Sequence, residues 1–230
     1  MKMTIISYKY NFIFVKTQKT AGTSIEIELS KCLDDDEQAI ITPIYPAFAE
    51  HRPRNFQEHN LPGPFFNHMP AFLIKRYLGE SVFRNMFKFC VEREPVAKCL
   101  SHFHMQRNSP EHNENGTYQS TWNEYCDKRN FPIDITKYTE SKSGALHKIV
   151  DTILAYETLA TSLPQIAERL HLRGFRLDAT AKSEYSRNRI VSYQDVTEQQ
   201  RKIIYGAFDN SLSVSGLYRA NVDREPVVRI

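Results

Sequence analysis

The sequence predicts an α/β fold of three layers, with helices on both sides of a mostly parallel central sheet. Short apolar stretches, typical of buried strands, alternate along the chain with stretches whose apolar residues recur at helical spacing. This alternation favours a sheet covered by helices on both faces. With 230 residues, 41% of them hydrophobic, the chain can bury one good core, so we expect a single domain over residues 1–230.

The N-terminal third is predicted to begin with two strands and a helix. Thr4–Tyr8 and Phe12–Val15 are apolar stretches separated by a turn-like tripeptide. Ser24–Leu33 follows as a helix with one apolar stripe. The next segment is rich in Pro, His and Asn and lacks a clear period, so we expect a long surface loop.

The rest of the chain continues the alternation of strand and helix. A polar loop is expected between two of the helices, and a capping box is expected to start a short one. The predicted elements are a helix opening at Asn67-His68-Met69-Pro70 and ending at Gly79, a strand at Phe87–Val91, a helix from Pro95, a loop at His104–Tyr118, a helix capped by Thr121 and Glu124, a strand at Asp151–Tyr156, and helices at Leu163–Leu170 and Thr197–Phe208.

The connection between the second strand and the first helix has the composition of an anion-binding turn. Its sequence is Gln18-Lys19-Thr20-Ala21-Gly22-Thr23-Ser24. Backbone N–H groups at a helix N-terminus, together with the helix dipole, favour a negatively charged ligand. Lys19 adds a positive charge and the hydroxyls add donors, which suits a phosphate or a phosphosulfate. The turn is not a Walker A loop, because its Lys-Thr pair precedes the glycine.

A second strand–helix connection carries further phosphate-binding side chains. Arg93 follows the strand at Phe87–Val91, and Pro95 suits the first position of the next helix. Ser101 lies further along that helix. The planar fork of an arginine and a hydroxyl together suit a phosphate monoester. The alternative is an ordinary strand–helix unit in which Arg93 pairs with Glu92 or Glu94.

Taken together, these two connections resemble the nucleotide-binding motifs of sulfotransferases that use 3′-phosphoadenosine 5′-phosphosulfate (PAPS). In the glycan-directed branch, which includes heparan sulfate 2-O-sulfotransferases, the first motif has the form P-K-T-[AG]-G-T-S after an apolar strand. The second has the form R-[DE]-P-x-x-R-x-x-S-x-[YF], present here as Arg93-Glu94-Pro95, Lys98, Ser101 and Phe103. Gln18 replaces the usual proline, and Lys98 replaces an arginine without offering its bidentate fork.

The resemblance implies a sheet related to that of P-loop kinases, PAPS as the co-substrate and 3′-phosphoadenosine 5′-phosphate (PAP) as the product nucleotide. It implies that the first motif holds the 5′-phosphosulfate and the second the 3′-phosphate. A later polar segment stands where relatives carry a loop that folds over the nucleotide. The expected PAPS contacts are Lys19, Thr20, Ala21, Gly22, Thr23, Ser24, Arg93, Ser101, Lys182, Ser183 and Arg187.

Sulfuryl transfer to a hydroxyl needs a cation at the leaving phosphate and a base for the proton of the acceptor. Lys19 is the expected cation because it lies in the phosphate turn. Histidine is the usual base near neutral pH. His68 is our first choice, since the segment around it resembles a G-H-x-x-[AP] element that carries the base in glycan sulfotransferases. The open alternatives are His59 and then Glu58, or a His68 that only bonds the helix backbone.

Composition limits the other function classes. A net charge of +3, from 30 basic and 27 acidic residues, argues against bulk nucleic-acid binding. The four cysteines, Cys32, Cys90, Cys99 and Cys126, show no metal-binding spacing, and we expect no metal cofactor. The apolar run at the N-terminus is too short for a signal peptide or a membrane span, so we expect a cytoplasmic enzyme of bacterial type.

The predicted function is therefore PAPS-dependent sulfation of a hydroxyl acceptor, expected to be a carbohydrate. A nucleotide kinase or another P-loop phosphotransferase is the main alternative. It is disfavoured by the order of residues in the first turn and by the lack of an evident acidic Mg²⁺ site after a strand. A nucleotide-binding module without activity is a third interpretation, which the presence of Lys19, Arg93, Ser101 and His68 disfavours.

Overall fold

The computed structural model describes residues 4–43, 49, 51–56, 65–110, 112–178 and 188–218. Within these ranges the chain is an α/β structure, as the sequence predicts. The strands are β1 (Ile5–Ser7), β2 (Phe12–Val15), β3 (Ile40–Ile41), β4 (Phe87–Glu92), β5 (Thr139–Lys142), β6 (Ala145–Lys148) and β7 (Thr152–Ala155). The helices are α1 (Gly22–Cys32), α2 (Ala71–Leu78), α3 (Glu80–Asn85), α4 (Pro95–Asn108), α5 (Trp122–Lys128), α6 (Ile135–Tyr138), α7 (Leu159–Arg169) and α8 (Glu198–Ser215), with a 3-10 turn at Tyr156–Thr158.

A five-stranded mixed sheet forms the centre, in the order β3-β1-β2-β4-β7. β2, β4 and β7 are parallel neighbours, with Phe14 opposite Phe89 and Cys90 opposite Ile153. β1 runs antiparallel to both β2 and β3, so it is reversed among these five strands. The predicted mostly parallel sheet is therefore mixed. The short turn between β1 and β2 explains this, since a tight turn joins only antiparallel strands.

Apolar side chains cover both faces of the sheet. Phe12, Phe14 and Phe89 lie on one face and pack with side chains of α1 and α7. Ile13 and Val15, which alternate with the phenylalanines along β2, lie on the other face with side chains of α2. This alternation follows from the two-residue period of a strand. Burial on both faces fixes the register of β2, and so the place where the chain leaves the sheet.

A third apolar cluster holds α4 against α5 and α8. Phe103 of α4 packs edge-on against Trp122 at 5.4 Å between ring centroids, and Trp122 stacks on Tyr125 at 5.2 Å. Phe131 and Phe208 extend the cluster towards α8. Aromatic pairs in these geometries stabilise a contact beyond the area that they bury. The cluster therefore fixes the helix that follows Arg93.

Several boundaries differ from the sequence predictions. α4 continues to Asn108, so the first residues of the loop expected at His104–Tyr118 are helical. His104 is buried, and its Nδ1 lies 2.8 Å from the carbonyl oxygen of Leu100 in the same helix. α7 begins at Leu159 and contains Pro164 in its interior instead of starting near it. The hairpin of β5 and β6 was not predicted, because β6 is exposed throughout and shows no alternation of apolar residues.

None of the helices in the described ranges combines the length and apolarity that a membrane span requires. The longest of them, α8, carries four charged side chains, at Glu198, Arg201, Lys202 and Asp209.

Candidate functional site

The first candidate element is the turn between β2 and α1. Lys19 and Ala21 both have left-handed backbone conformations, with φ values of 60° and 58°. Non-glycine residues adopt this region at a cost of about 1–2 kcal/mol each, and such residues concentrate at functional sites. Ala21 is the N-cap of α1 but provides no side-chain cap, and the first turn of the helix contains no acidic residue. The helix start is therefore suited to an external anion.

The turn is tied to the rest of the sheet by buried hydrogen bonds. The hydroxyl of Thr17 donates to the carbonyl oxygen of Val91 in β4. The hydroxyl of Thr20 lies 2.9 Å from that of Thr17, and both side chains are buried. The backbone N–H of Gln18 donates to Oδ2 of Asp134 at 2.7 Å. Thr20, expected as a PAPS contact, thus has a structural role in holding the turn.

The second candidate element is the connection between β4 and α4. Glu94 caps the helix, and its carboxylate accepts hydrogen bonds from the backbone N–H groups of Val96 at 3.1 Å and Ala97 at 2.7 Å. Pro95 occupies the first helical position, as its fixed φ predicts. Tyr205 of α8 adds a third hydrogen bond to Glu94, at 2.7 Å. Arg93 is consequently held between the end of the strand and a rigid helix start.

Arg93 lies between the two connections. Its Nη1 donates to the carbonyl oxygen of Lys19 at 3.3 Å, and its guanidinium carbon lies 4.1 Å from the ring centre of Tyr156. Its Nε is buried and has no hydrogen-bond partner among the described residues. Among the described residues, the carboxylate of Glu94 caps α4 and that of Glu92 binds Lys98. The side chain of Arg93 therefore does not form the ion pair with Glu92 or Glu94 that was the alternative interpretation.

The two motifs meet because β2 and β4 are adjacent parallel strands. Val15, the last residue of β2, lies opposite Cys90 of β4. The carboxyl ends of neighbouring parallel strands lie at one edge of the sheet, and ligands of open α/β sheets bind at that edge. The hydrogen bond from Arg93 to Lys19 is the direct contact between the motifs.

Lys98, which stands at the arginine position of the second motif, lies in the protein interior. Its side chain is fully buried and its Nζ lies 2.7 Å from Oε2 of Glu92 and 2.8 Å from Oδ2 of Asp134. Burial opposes its charge, but Asp134 and Glu92 outweigh this and raise the pKa of Lys98. Asp134 also accepts a hydrogen bond from the backbone N–H of Gln18. The ion cluster of Lys98, Glu92 and Asp134 therefore helps to hold the turn between β2 and α1 in place. Lys98 therefore affects the turn between β2 and α1 indirectly, through Asp134.

His68 lies against the end of β2. Its Nδ1 is 3.1 Å from the carbonyl oxygen of Lys16, and its φ of 54° is left-handed. A ring nitrogen facing a carbonyl oxygen carries the hydrogen, so Nε2 holds the lone pair that a general base needs. Burial, and then the charge of Lys16, lower the pKa of His68 to about 4. His68 is therefore neutral near pH 7, and it binds the strand end instead of the backbone of α2.

Two residues at the site were missed by the sequence reasoning. Lys16 directly precedes the turn, and its Nζ lies 3.1 Å from the hydroxyl of Thr23 and 2.8 Å from Oε2 of Glu26. The sequence feature that could have identified Lys16 was its position between an apolar strand and the turn. His102 of α4 is the second; burial, and then the charge of Lys19, lower its pKa to about 4.

The remaining predicted site residues fall into two groups. Gly22, Thr23 and Ser24 form the first turn of α1, and Ser101 lies half-buried in the second turn of α4. His59, Glu58, Lys182, Ser183 and Arg187 lie outside the described residues. A group of three or more His, Cys, Asp or Glu side chains able to hold a metal ion is not found within the described ranges.

A shallow pocket opens beside Arg93. It is bounded by Phe208 and Leu212 of α8 and by Tyr218, and its enclosed space of about 10 Å³ is that of a single water molecule. The pocket is therefore too small to identify a ligand.

The chain was compared with family models, curated proteins and solved structures, and none of them matches it.

Proposed function

We propose that this protein is a sulfotransferase that moves a sulfuryl group from PAPS to a hydroxyl acceptor, with carbohydrates as the acceptor class. The observation that carries the proposal is the contact between the two motifs, in which Arg93 donates to the carbonyl oxygen of Lys19 at 3.3 Å. A nucleotide with phosphates at both the 5′ and 3′ positions needs two cationic sites beside one sheet edge. The order of the two motifs along the sequence does not by itself bring their cationic side chains together in space.

The described residues suit a nucleotide of this charge. The start of α1 offers backbone N–H groups, a lysine and hydroxyls without a competing carboxylate in its first turn. The buried Nε of Arg93 has no hydrogen-bond partner among the described residues, although a buried donor normally has one. A 3′-phosphate accepting from this guanidinium would satisfy it. Ser101, and in the sequence prediction Lys182, Ser183 and Arg187, would add further contacts.

When bound, PAPS would supply the sulfuryl group and the phosphate that leaves. In this proposal the ammonium of Lys19 neutralises charge on the departing oxygen, and such electrostatic stabilisation usually contributes most to the rate of group transfer. Nε2 of His68 takes the proton of the acceptor hydroxyl as the new S–O bond forms. The depressed pKa of His68 keeps that nitrogen free of a proton at neutral pH.

A kinase is the second candidate, because a strand–turn–helix phosphate site is shared by both classes. PAP binding separates the two. A ligand at about 100 times its Kd should add roughly 2.7 kcal/mol to the free energy of unfolding, a rise in Tm of about 5–10 °C for a chain of this size. PAP should raise Tm more than AMP or Mg-ATP, since both lack a 3′-phosphate.

Arg93→Ala is the matched variant for this measurement. It should reduce the PAP effect to that of AMP and change the AMP effect much less, because Arg93 acts on the 5′-phosphate turn only through its hydrogen bond to the carbonyl oxygen of Lys19. Equal or greater stabilisation by Mg-ATP would favour the kinase and contradict the proposal.

A further inference from the structure

Lys16 and Glu26 form a buried ion pair next to the first turn of α1, where the anion site is proposed. The Nζ of Lys16 lies 2.8 Å from Oε2 of Glu26, and their side chains are 7% and 0% exposed. Both carboxylate oxygens of Glu26 are buried, and apart from the ion pair with Lys16 neither has a hydrogen-bond partner among the described residues. A carboxylate with a single cation partner and an unsatisfied oxygen is poorly stabilised in a protein interior.

The path of the Lys16 side chain explains the glycine at the start of α1. A Cβ atom on Gly22 would lie 2.7 Å from Cγ of Lys16 and 2.8 Å from its Cε. These separations are below van der Waals contact, so the lysine runs across the glycine to reach the helix. Its ammonium thereby comes to lie 3.1 Å from the hydroxyl of Thr23 in the first helical turn.

The ammonium of Lys16 thus has an internal partner in the second turn of α1 and lies within reach of an external partner at the first turn. A phosphate or phosphosulfate at the helix start would carry more charge than the Glu26 carboxylate, and would attract the same ammonium. Rotation of the terminal side-chain bonds of Lys16 can exchange one partner for the other. Glu26 would then be a buried carboxylate without its cation, and proton uptake would remove its charge.

We propose that Lys16 is a second cation of the anion site, and that nucleotide binding draws its ammonium from Glu26, which then takes up a proton from solvent. This inference rests on the proposed function, because it uses the same site. It assigns Lys16 as a binding residue and Glu26 as a positioning residue that holds the lysine before the nucleotide binds.

The electrostatics around the pair agree with a proton exchange near neutral pH. Burial, opposed by Lys16, raises the pKa of Glu26 to about 7. Among the described residues, His51 and His68 are the other groups whose pKa is lowered by the Lys16 charge, and burial is the main cause that lowers each to about 4. Asp134 acts on His68 in the opposite sense. Both histidines are neutral above about pH 5, so Glu26 is the group expected to change protonation between pH 7 and 8.5.

The test is isothermal titration calorimetry of PAP at pH 8 in buffers of different ionisation enthalpy, which measures protons taken up on binding. The parent should take up between about 0.5 and 1 proton per PAP, and Glu26→Gln close to none. Glu28→Gln is the matched control, because Glu28 is a buried glutamate of the same helix that pairs with Lys31. It should behave like the parent.

A second measurement needs no variant of the pair. If binding takes up a proton, the affinity of the parent for PAP falls as pH rises from 7 to 8.5, by up to about tenfold per pH unit. The phosphates of PAP do not explain such a fall, because their second pKa is near 6. Lys16→Met should weaken PAP binding roughly tenfold or more.

The outcomes separate this inference from the function on which it rests. PAP binding with equal proton uptake in the parent and Glu26→Gln, or an affinity independent of pH, would overturn the role of the pair alone. A parent protein that does not bind PAP would overturn both.

Discussion

Gly22→Ala should destabilise the protein, although alanine is the better helix former. In a helix this exchange normally adds about 0.5–1 kcal/mol of stability. Here the new Cβ would lie 2.7, 2.8 and 3.1 Å from Cγ, Cε and Cδ of Lys16, in a buried part of that side chain. Overpacking of this kind costs about 1–3 kcal/mol. The net expected loss is therefore up to about 2.5 kcal/mol, or a Tm lower by up to about 10 °C, measured by urea and thermal unfolding.

Gly206→Ala is the matched control, because Gly206 lies within α8 and a Cβ added there would meet no atom within 4 Å. It should stabilise the protein by about 0.5–1 kcal/mol. When Lys16→Ala and Glu26→Gln are both present, Gly22→Ala should become neutral or stabilising, since the clash is gone. A Gly22→Ala protein that is stabilised as much as Gly206→Ala would refute the reasoning.

Further variants test the other side chains of the site. Arg93→Ala should weaken PAP binding by about 1.5–3 kcal/mol in calorimetry, whereas Arg169→Ala, whose guanidinium stacks on Phe87, should not change it. His68→Ala should lower kcat by about 10² to 10⁴ with nearly unchanged PAP affinity, and a normal turnover would remove His68 as the base. Lys98→Met should reduce the free energy of unfolding in urea by about 3–5 kcal/mol, because it leaves buried carboxylates without their cation; a loss under about 1 kcal/mol would contradict this. Since burial lowers the pKa of His68 from 6.5 to about 4, the unfolded state binds the extra proton, and stability should fall from pH 6.5 to pH 4, less steeply in His68→Asn.

Local sequence signals predicted the elements that depend on local interactions. β2 was bounded correctly because Phe12–Val15 is a continuous apolar run, and the capping box of Thr121 and Glu124 starts α5. Tertiary contacts decided the rest. His104 looks like a loop residue in sequence, yet its Nε2 accepts the backbone N–H of Ile190 at 3.2 Å, which allows a polar side chain to be buried within α4.

The site shows the same division. The turn containing Lys19 and the segment containing Arg93 were recognisable from residue types and spacing, and the sheet topology then placed them side by side. Asp134 could not be found in this way. It contacts the N–H of Gln18 across 116 positions of sequence, and no local pattern marks a carboxylate that reaches a turn through such a contact. Lys98 shows the same limit: the missing bidentate fork argued against a direct contact with the nucleotide, but only the fold shows that its partners are Glu92 and Asp134.

The most direct test of the central claim is sulfate transfer itself. The protein is incubated with PAPS as the sole donor and a panel of glycans and small alcohols, and mass spectrometry follows the gain of a sulfate. We expect a PAPS-dependent gain on at least one carbohydrate, lost in Lys19→Ala and retained in Lys9→Ala, whose lysine pairs with Asp35 at the surface. No gain on any acceptor, or a gain that persists undiminished in Lys19→Ala, would contradict the account.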